Sequence, residues 1–372
     1  MPGPHRESGE AAVSDISVRI KVASAADADT VYAMLCQRDG RTHDRSAVLN
    51  YLADLDPGRV CVWLAERGGE CLGINAIYLR SLRTTAGPLA AGYWAHLYVR
   101  PEARKLMIYP RLVLDMMRWS RDAGLRLVYT GSRQQHVAAA HLRLGFHSLA
   151  TFPVLLQPLR PATLVASRKA AAYPFAVAAA RACDDLFRGV CRMLPRITAG
   201  QAPAGPIAAT AVAPATVAAF CDPDATKIRT DWTEESWRQR FSGTIEGDPY
   251  TCFVVPSAER PEAGVMMRVA ERGTPPVRVG VLMDIFDRTP DRRHLRPLLR
   301  RVAQAADAAG CAGVIAVDQI PHDIATAIRS AGYWKTSERY AIVAKATGSE
   351  PLPPQLADAS AWQFNFGEHD AF

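Results

Sequence analysis

At 372 residues and about 150 per domain, the chain has room for roughly two domains, each able to bury its own core. A formal charge of +7, from 44 Lys and Arg against 37 Asp and Glu, together with 49% hydrophobic residues, excludes a disordered or fibrous chain. No apolar run is long enough to cross a membrane, and Met1–Asp15 carries Arg6, Glu7 and Glu10 where a signal peptide has its apolar centre, which reads as a cytoplasmic protein.

The first half alternates strand and helix signals. Arg59–Glu66 and Glu70–Leu79 are β-rich runs around the turn Arg67-Gly68-Gly69, a hairpin pattern. Gly92–Val99 is a third strand, on which period two places Trp94, His96 and Tyr98 together on one face. Ile108, Leu112, Met116 and Trp119 then recur at helical spacing, predicting an amphipathic helix over Arg104–Ala123 closed by Gly124. Leu125–Thr130 reads as a buried strand, Gln134–Leu144 as a helix stopped by Gly145, and Phe146–Gln157 as extended chain.

An amphipathic helix follows around Ala176–Leu194, in a segment, 160 to 196, with seven basic and two acidic side chains. Its plain reading is a brace between domains, with a membrane-surface or carrier-protein role as the alternative. Residues 199 to 215 have the Ala, Pro and Gly content of a flexible linker. The second half repeats the order of the first. Tyr250–Val255, Val265–Ala270 and Val277–Phe286 read as strands, and Leu295, Leu298, Leu299 and Val302 mark a helix. Cys311–Val317 is then a strand, Ile324–Ser330 a helix and Tyr340–Ala344 a last strand, an order that points to internal duplication. Residues 348 to 360 form a polar connector.

Chemistry-bearing patterns are sparse. Eight cysteines, at 36, 61, 71, 183, 191, 221, 252 and 311, show no C-x-x-C pair and no zinc spacing, so no metal is expected. The basic charge is not interleaved with aromatic residues as nucleic-acid binding requires, and nucleic acid is not an expected partner. The informative stretch is Tyr98 to Leu112. A strand that ends at Pro101 and turns into a helix offers unpaired N–H groups and a positive dipole end to an anion, and Arg104 and Lys105 add two cations suited to a pyrophosphate.

That stretch resembles the GNAT superfamily of N-acyltransferases. Their strand-turn-helix motif, L-x-V-x-P-x-x-[QR]-x-x-G-x-[GA], is matched by Leu97, Val99, Pro101 and Arg104, whereas Met107 and Tyr109 replace its two small residues. In the family's second motif, N-x-x-A-x-x-L-Y-x-x-x-G-F, Gln134 stands for Asn and His141 for the Tyr that protonates the leaving thiolate, and Gly145-Phe146 keeps the ending. Asp231, Trp237-Arg238, Pro249-Tyr250 and the tail Trp362-Gln363-Phe364-x-x-Gly367-Glu368-x-Asp370 resemble bacterial tandem GNAT proteins. In the second half Asp287–Arg293 has no glycine and Ile328 sits where the acid would be, so that half looks degenerate.

The resemblance implies an α/β (α+β) fold of two GNAT-like domains, each a mixed, mostly antiparallel sheet flanked by helices. The boundaries are 17–160 for the domain with the donor site, 161–214 for a helical and flexible linker, 215–347 for the degenerate domain and 348–372 for a tail. It implies acyl transfer from acetyl-CoA or another acyl-CoA to a small-molecule amine, with an acyl-carrier protein as an alternative donor and a non-catalytic scaffold as an alternative role. The donor site would comprise Tyr98, Val99, Arg104, Lys105, Met107, Ile108, Tyr109 and Gln134. His96, at the point where the family's strands part, is the candidate base, and His141 the candidate acid. His136 and Asp44 are weaker candidates.

Overall fold

The computed structural model describes residues 17–132, 134–168, 174–193, 206–208, 211–221, 227–241, 249–272, 276–318, 322–350, 352–364 and 366. Its first half runs β1 (Arg19–Val22), α1 (Ala28–Asp39), α2 (Arg45–Tyr51), β2 (Val60–Arg67), β3 (Glu70–Thr84) and β4 (Gly87–Val99). It continues through α3 (Ile108–Asp122), β5 (Leu127–Ser132), α4 (Gln135–Arg143) and β6 (His147–Pro158). Two helices, α5 (Pro161–Arg168) and α6 (Pro174–Met193), lead to β7 (Ile207–Ala208), α7 (Pro214–Cys221), β8 (Arg229–Thr230) and α8 (Glu234–Arg240). The second half follows as β9 (Thr251–Pro256), β10 (Pro261–Arg272), β11 (Val277–Asp287), α9 (Leu295–Ala308), β12 (Gly313–Val317), α10 (His322–Ser330) and β13 (Trp334–Ala346), before α11 (Pro354–Ala357).

The repeated order of elements is present, but the halves do not have separate sheets. One 13-stranded sheet runs β1-β2-β3-β4-β5-β13-β6-β12-β11-β10-β9-β7, with β8 on β3. Each half closes on the other's last strand: β13 lies between β5 and β6, and β6 pairs with β12. The exchange covers edges that each half would otherwise leave open. Among the described strands only β4–β5 and β11–β12 pair in parallel, so the sheet is mostly antiparallel.

One face of this sheet carries a core shared by both halves, joining Val31 and Tyr93 to Trp237, Phe241 and Met266. The other face carries two cores, one under α3 and one under α9, where Leu295, Leu298, Leu299 and Val302 are buried at helical spacing. The expected linker is in part structured: Ile207–Ala208 pairs with β9, while 199–205 and 209–210 lie outside the described residues. The tail also packs, with Trp362, Phe364 and Phe366 buried in the shared core, and Gly367 to Asp370 lies outside the described residues.

Candidate active site at the parting of two strands

β4 and β5 pair only from Ala91–Leu127 to Tyr93–Tyr129. Beyond Tyr93 the strands separate, because a bulge bends β4: Ala95 pairs with Ala76 and Tyr98 with Ile74, so His96 and Leu97 together oppose Asn75. His96 takes the bulge with a left-handed φ of 56°. The bulge overturns the period-two expectation. Trp94, Leu97 and Val99 face the core under α3, while Tyr98 packs on the shared-core face and the His96 ring meets Tyr51 and Tyr78 there.

His96 is held from two sides. Arg38, in the last turn of α1, lies with Nη1 2.5 Å from His96 Nδ1, and the Tyr78 hydroxyl lies 2.8 Å from Nε2. A guanidinium only donates, so Nδ1 accepts, the ring proton sits on Nε2, and Nε2–H donates to the Tyr78 oxygen. Both nitrogens are thereby engaged, and the base role expected for His96 has no lone pair available in this arrangement. Asp39 fixes Arg38 with two bonds, to Nε at 2.7 Å and Nη2 at 2.8 Å, and His43 Nε2 reaches Asp39 at 2.8 Å. Burial alone would raise the Asp39 carboxyl, but Arg38 and His43 outweigh it and hold it below its ordinary value.

His141 lies on the opposite face. It is buried against Trp94, ring centroids 4.3 Å apart, and against Phe146, with Nδ1 2.9 Å from the Tyr109 hydroxyl. Burial lowers its pKa to about 4 and raises that of Tyr109 to about 12. At neutral pH the imidazole is therefore uncharged, and the imidazolium acid expected from the sequence is scarcely populated. Trp94 is itself fixed by its Nε1–H bond to Asn75. The two histidines thus flank the strand opening from its two sides.

The helix start differs from the sequence expectation. Pro101–Leu106 forms a 3-10 turn, Met107 follows at φ 54°, and α3 begins only at Ile108. Met107 occupies the family's first glycine position, so the backbone keeps a glycine-like conformation with a side chain that is 64% exposed. No side chain caps α3, and Pro110 in its first turn has no N–H to offer. Arg104 and Lys105 are exposed beside this turn. Gly73 on β3 allows the close approach, since a Cβ there would sit 3.1 Å from the Ile108 side chain and 3.3 Å from the Tyr98 carbonyl. The Tyr109 ring stacks on Trp94, centroids 6.5 Å apart, where the motif has its second small residue. Gln134 is exposed at the start of α4 and makes no side-chain cap bond.

His136 is exposed on α4, and Asp44 caps α2 by accepting from the Ala47 N–H at 2.7 Å, a structural role. Sequence reasoning missed Arg38, Asp39, His43, Tyr51 and Tyr78. They come from α1, the α1–α2 turn, α2 and β3, and no spacing signal joins them. The second half also meets this face. Arg240 stands 5.8 Å over the Tyr51 ring and donates to the Tyr250 hydroxyl at 2.9 Å, and a cleft of about 280 Å³ opens beside Arg83, Cys221 and Trp232. A second cavity, of about 290 Å³, lies by Leu89, Leu125 and Arg126, at the end of β4 and β5 away from the opening. In the second half β11 and β12 pair only over Gly280–Val281, and buried Arg229 lies 3.5 Å from Asp284 just beyond. Among the described residues no cluster of His, Cys, Asp and Glu could hold a metal ion, and no helix is long and apolar enough to cross a membrane.

No family model and no curated protein matches the sequence. The structure, however, is similar to N-myristoyltransferase of Saccharomyces cerevisiae with bound myristoyl-CoA, with a TM-score of 0.60 and 11% identity over 88% of this chain and 82% of that one. It is similar to a GCN5-related N-acetyltransferase of Anabaena variabilis, with a TM-score of 0.57 and 11% identity over 89% and 73% of the two chains. It is also similar to a tandem GNAT protein of the clavulanic acid biosynthesis pathway, with a TM-score of 0.56 and 12% identity over 90% and 100%. The chain has the tandem GNAT fold.

Proposed function

We propose that the protein is an N-acyltransferase that takes an acyl group from acyl-CoA, acetyl-CoA in the simplest case, and passes it directly to a small amine. The observation that carries this reading is the opening between β4 and β5 beside an uncapped helix start whose backbone at Met107 is glycine-like. The fold's neighbours support it, one with bound myristoyl-CoA and one named an N-acetyltransferase. In this reading the pyrophosphate meets Ile108, Tyr109, Arg104 and Lys105, and the pantetheine arm runs along Tyr98 and Val99 with Gln134 at its far side.

The thioester then sits in the opening, where β4 amides beyond Tyr93 have no β5 partner and can polarise its carbonyl. The amine approaches from the His96 face. With Arg38 occupying Nδ1, His96 orients the Tyr78 hydroxyl rather than taking a proton, and the amine reacts in its neutral form. His141 and Tyr109, both uncharged, share one hydrogen bond, and the single proton left on the pair is donated toward the departing sulfur. Positioning therefore supplies most of the rate.

The test is calorimetric titration with acetyl-CoA. Replacing Arg104 and Lys105 together by Ala should weaken binding by about 1 to 3 kcal/mol, since charge-assisted bonds are lost. A wild-type protein that binds no acetyl-CoA and releases no thiol with any amine would overturn the reading in favour of a carrier-protein donor or a binding role.

A further inference from the structure

Around the junction of the two halves, three guanidinium groups are matched to carboxylates. Arg38 pairs with Asp39, Arg83 with Asp231 at 2.6 Å, and Arg229 with Asp284 at 3.5 Å. Arg80 is different. It projects from β3 on the same face as Tyr78, with its guanidinium carbon 5.4 Å from the Tyr78 ring centroid and 4.9 Å from that of Trp232. Among the described residues no carboxylate pairs with it, and its Nε is shut off from solvent without an acceptor. The slot is only half-buried, so its outer nitrogens can be reached. Two rings replace the hydration of a cation but supply no oxygen to its N–H groups, and a planar guanidinium presents those groups as a fork fitted to a carboxylate.

The place of this cation matters. Tyr78, against which Arg80 stacks, is the same residue that bonds to His96 beside the strand opening. Arg80 is thus one aromatic ring away from the point where the amine must attack. Trp232, the other wall, comes from the second half and also lines the cleft beside Arg83 and Cys221. An acceptor anchored at Arg80 would therefore be held between the halves with its other end at His96.

We propose that the acceptor is an amine that also bears a carboxylate, and that Arg80, between Tyr78 and Trp232, is the group that selects it. This rests on the acyltransferase reading for the fate of the amine. The amine nitrogen forms the new amide bond, the thioester C–S bond breaks, and the proton lost by the amine ends on the released thiol. The carboxylate is unchanged and serves as the handle.

The experiment uses the full chain and a panel of free amino acids and dipeptides set against their C-terminal amides. Ligand-observed NMR without coenzyme A reads binding, and thiol release from acetyl-CoA reads transfer. At least one acid should bind roughly tenfold to a hundredfold more tightly than its amide, the worth of a charge-assisted pair. Arg80→Gln should erase that preference and raise KM for the acid, with kcat changed far less. Arg80→Lys should restore part of it. An unchanged thermal midpoint and unchanged acetyl-CoA affinity in Arg80→Gln separate loss of the handle from loss of the stack. Equal binding of acids and amides, absence of binding by every acid, or a preference that survives Arg80→Gln would overturn the proposal. An Arg80-dependent acid preference in a protein that binds no acetyl-CoA would support the carboxylate site and overturn the acyltransferase reading.

Discussion

Two residues at the opening, His141 and Met107, stand in conformations or charge states that ordinary chemistry disfavours. For His141, burial takes the imidazole from 6.5 to about 4. Between those values the unfolded chain binds a proton that the folded chain does not, so acid favours unfolding. Stability should fall as the pH drops from about 6.5 toward about 4, be unaffected above that window, and lose on the order of 3 kcal/mol across it. Urea denaturation at several pH values checks this, with His141→Phe expected to show a shallower slope; parallel slopes would mean that the ring is hydrated. For Met107, the left-handed φ of 54° carries a cost that glycine avoids, and its exposed side chain packs little. Met107→Gly should stabilise the fold by up to about 1 kcal/mol and tighten acetyl-CoA binding, whereas Met107→Ala should do neither. None of this was legible in the sequence beyond the substitution itself: the motif spacing located Met107 and His141, but burial and backbone angle come from residues far apart in the chain.

At the scale of elements, the sequence identified long periodic segments and lost local irregularities. The hairpin, the strand ending at Val99 and the apolar stripe Ile108, Leu112, Met116 were readable because each repeats its own period. The β4 bulge was not, since one inserted residue leaves composition untouched while it moves His96 to the other face from Trp94. The helical pattern in the sequence extends back to Arg104 because the 3-10 turn before α3 has nearly helical spacing. The α5–α6 pair shows a contact that spacing could not reveal. Buried Asp184 of α6 accepts from the Ala162 N–H at 3.1 Å and from both the N–H and the hydroxyl of Thr163 at 2.7 Å, capping α5 from a different helix. Asp184→Ala leaves those donors unmet and should cost about 1 to 3 kcal/mol. Hydrogen exchange should quicken first at the start of α5, and an unchanged exchange rate there would show that solvent replaces the carboxylate.

At the scale of the whole molecule, the exchange of last strands decides what can fold alone. Duplication was legible in the order of elements, yet the order alone implied two separable sheets, because pairing partners across some 200 residues leave no mark on periodicity. Among the described residues β6 pairs only with β12 and β13, both from the second half, and β5 meets β4 over three residues but β13 over six. Gly131 on β5 has no side chain where the Tyr340 hydroxyl of β13 sits, so the intruding strand is accommodated by sequence and not merely tolerated. Val31, Tyr93, Trp237 and Met266 then share one core across the boundary. Two consequences follow from this connectivity. The full chain should unfold in a single calorimetric transition, since neither half can lose its sheet without exposing the other's edge. A fragment of residues 17 to 160 should not form a stable monomer: it carries β6 with no partner and an open β5 edge, which favours aggregation or a dimer that pairs these strands between copies. Light scattering on the purified fragment, alone and mixed with residues 215 to 372, checks this. A cooperatively folded monomer of 17 to 160 would mean that β6 can turn back onto its own β5, and that the exchange adds contact between halves without being required by either.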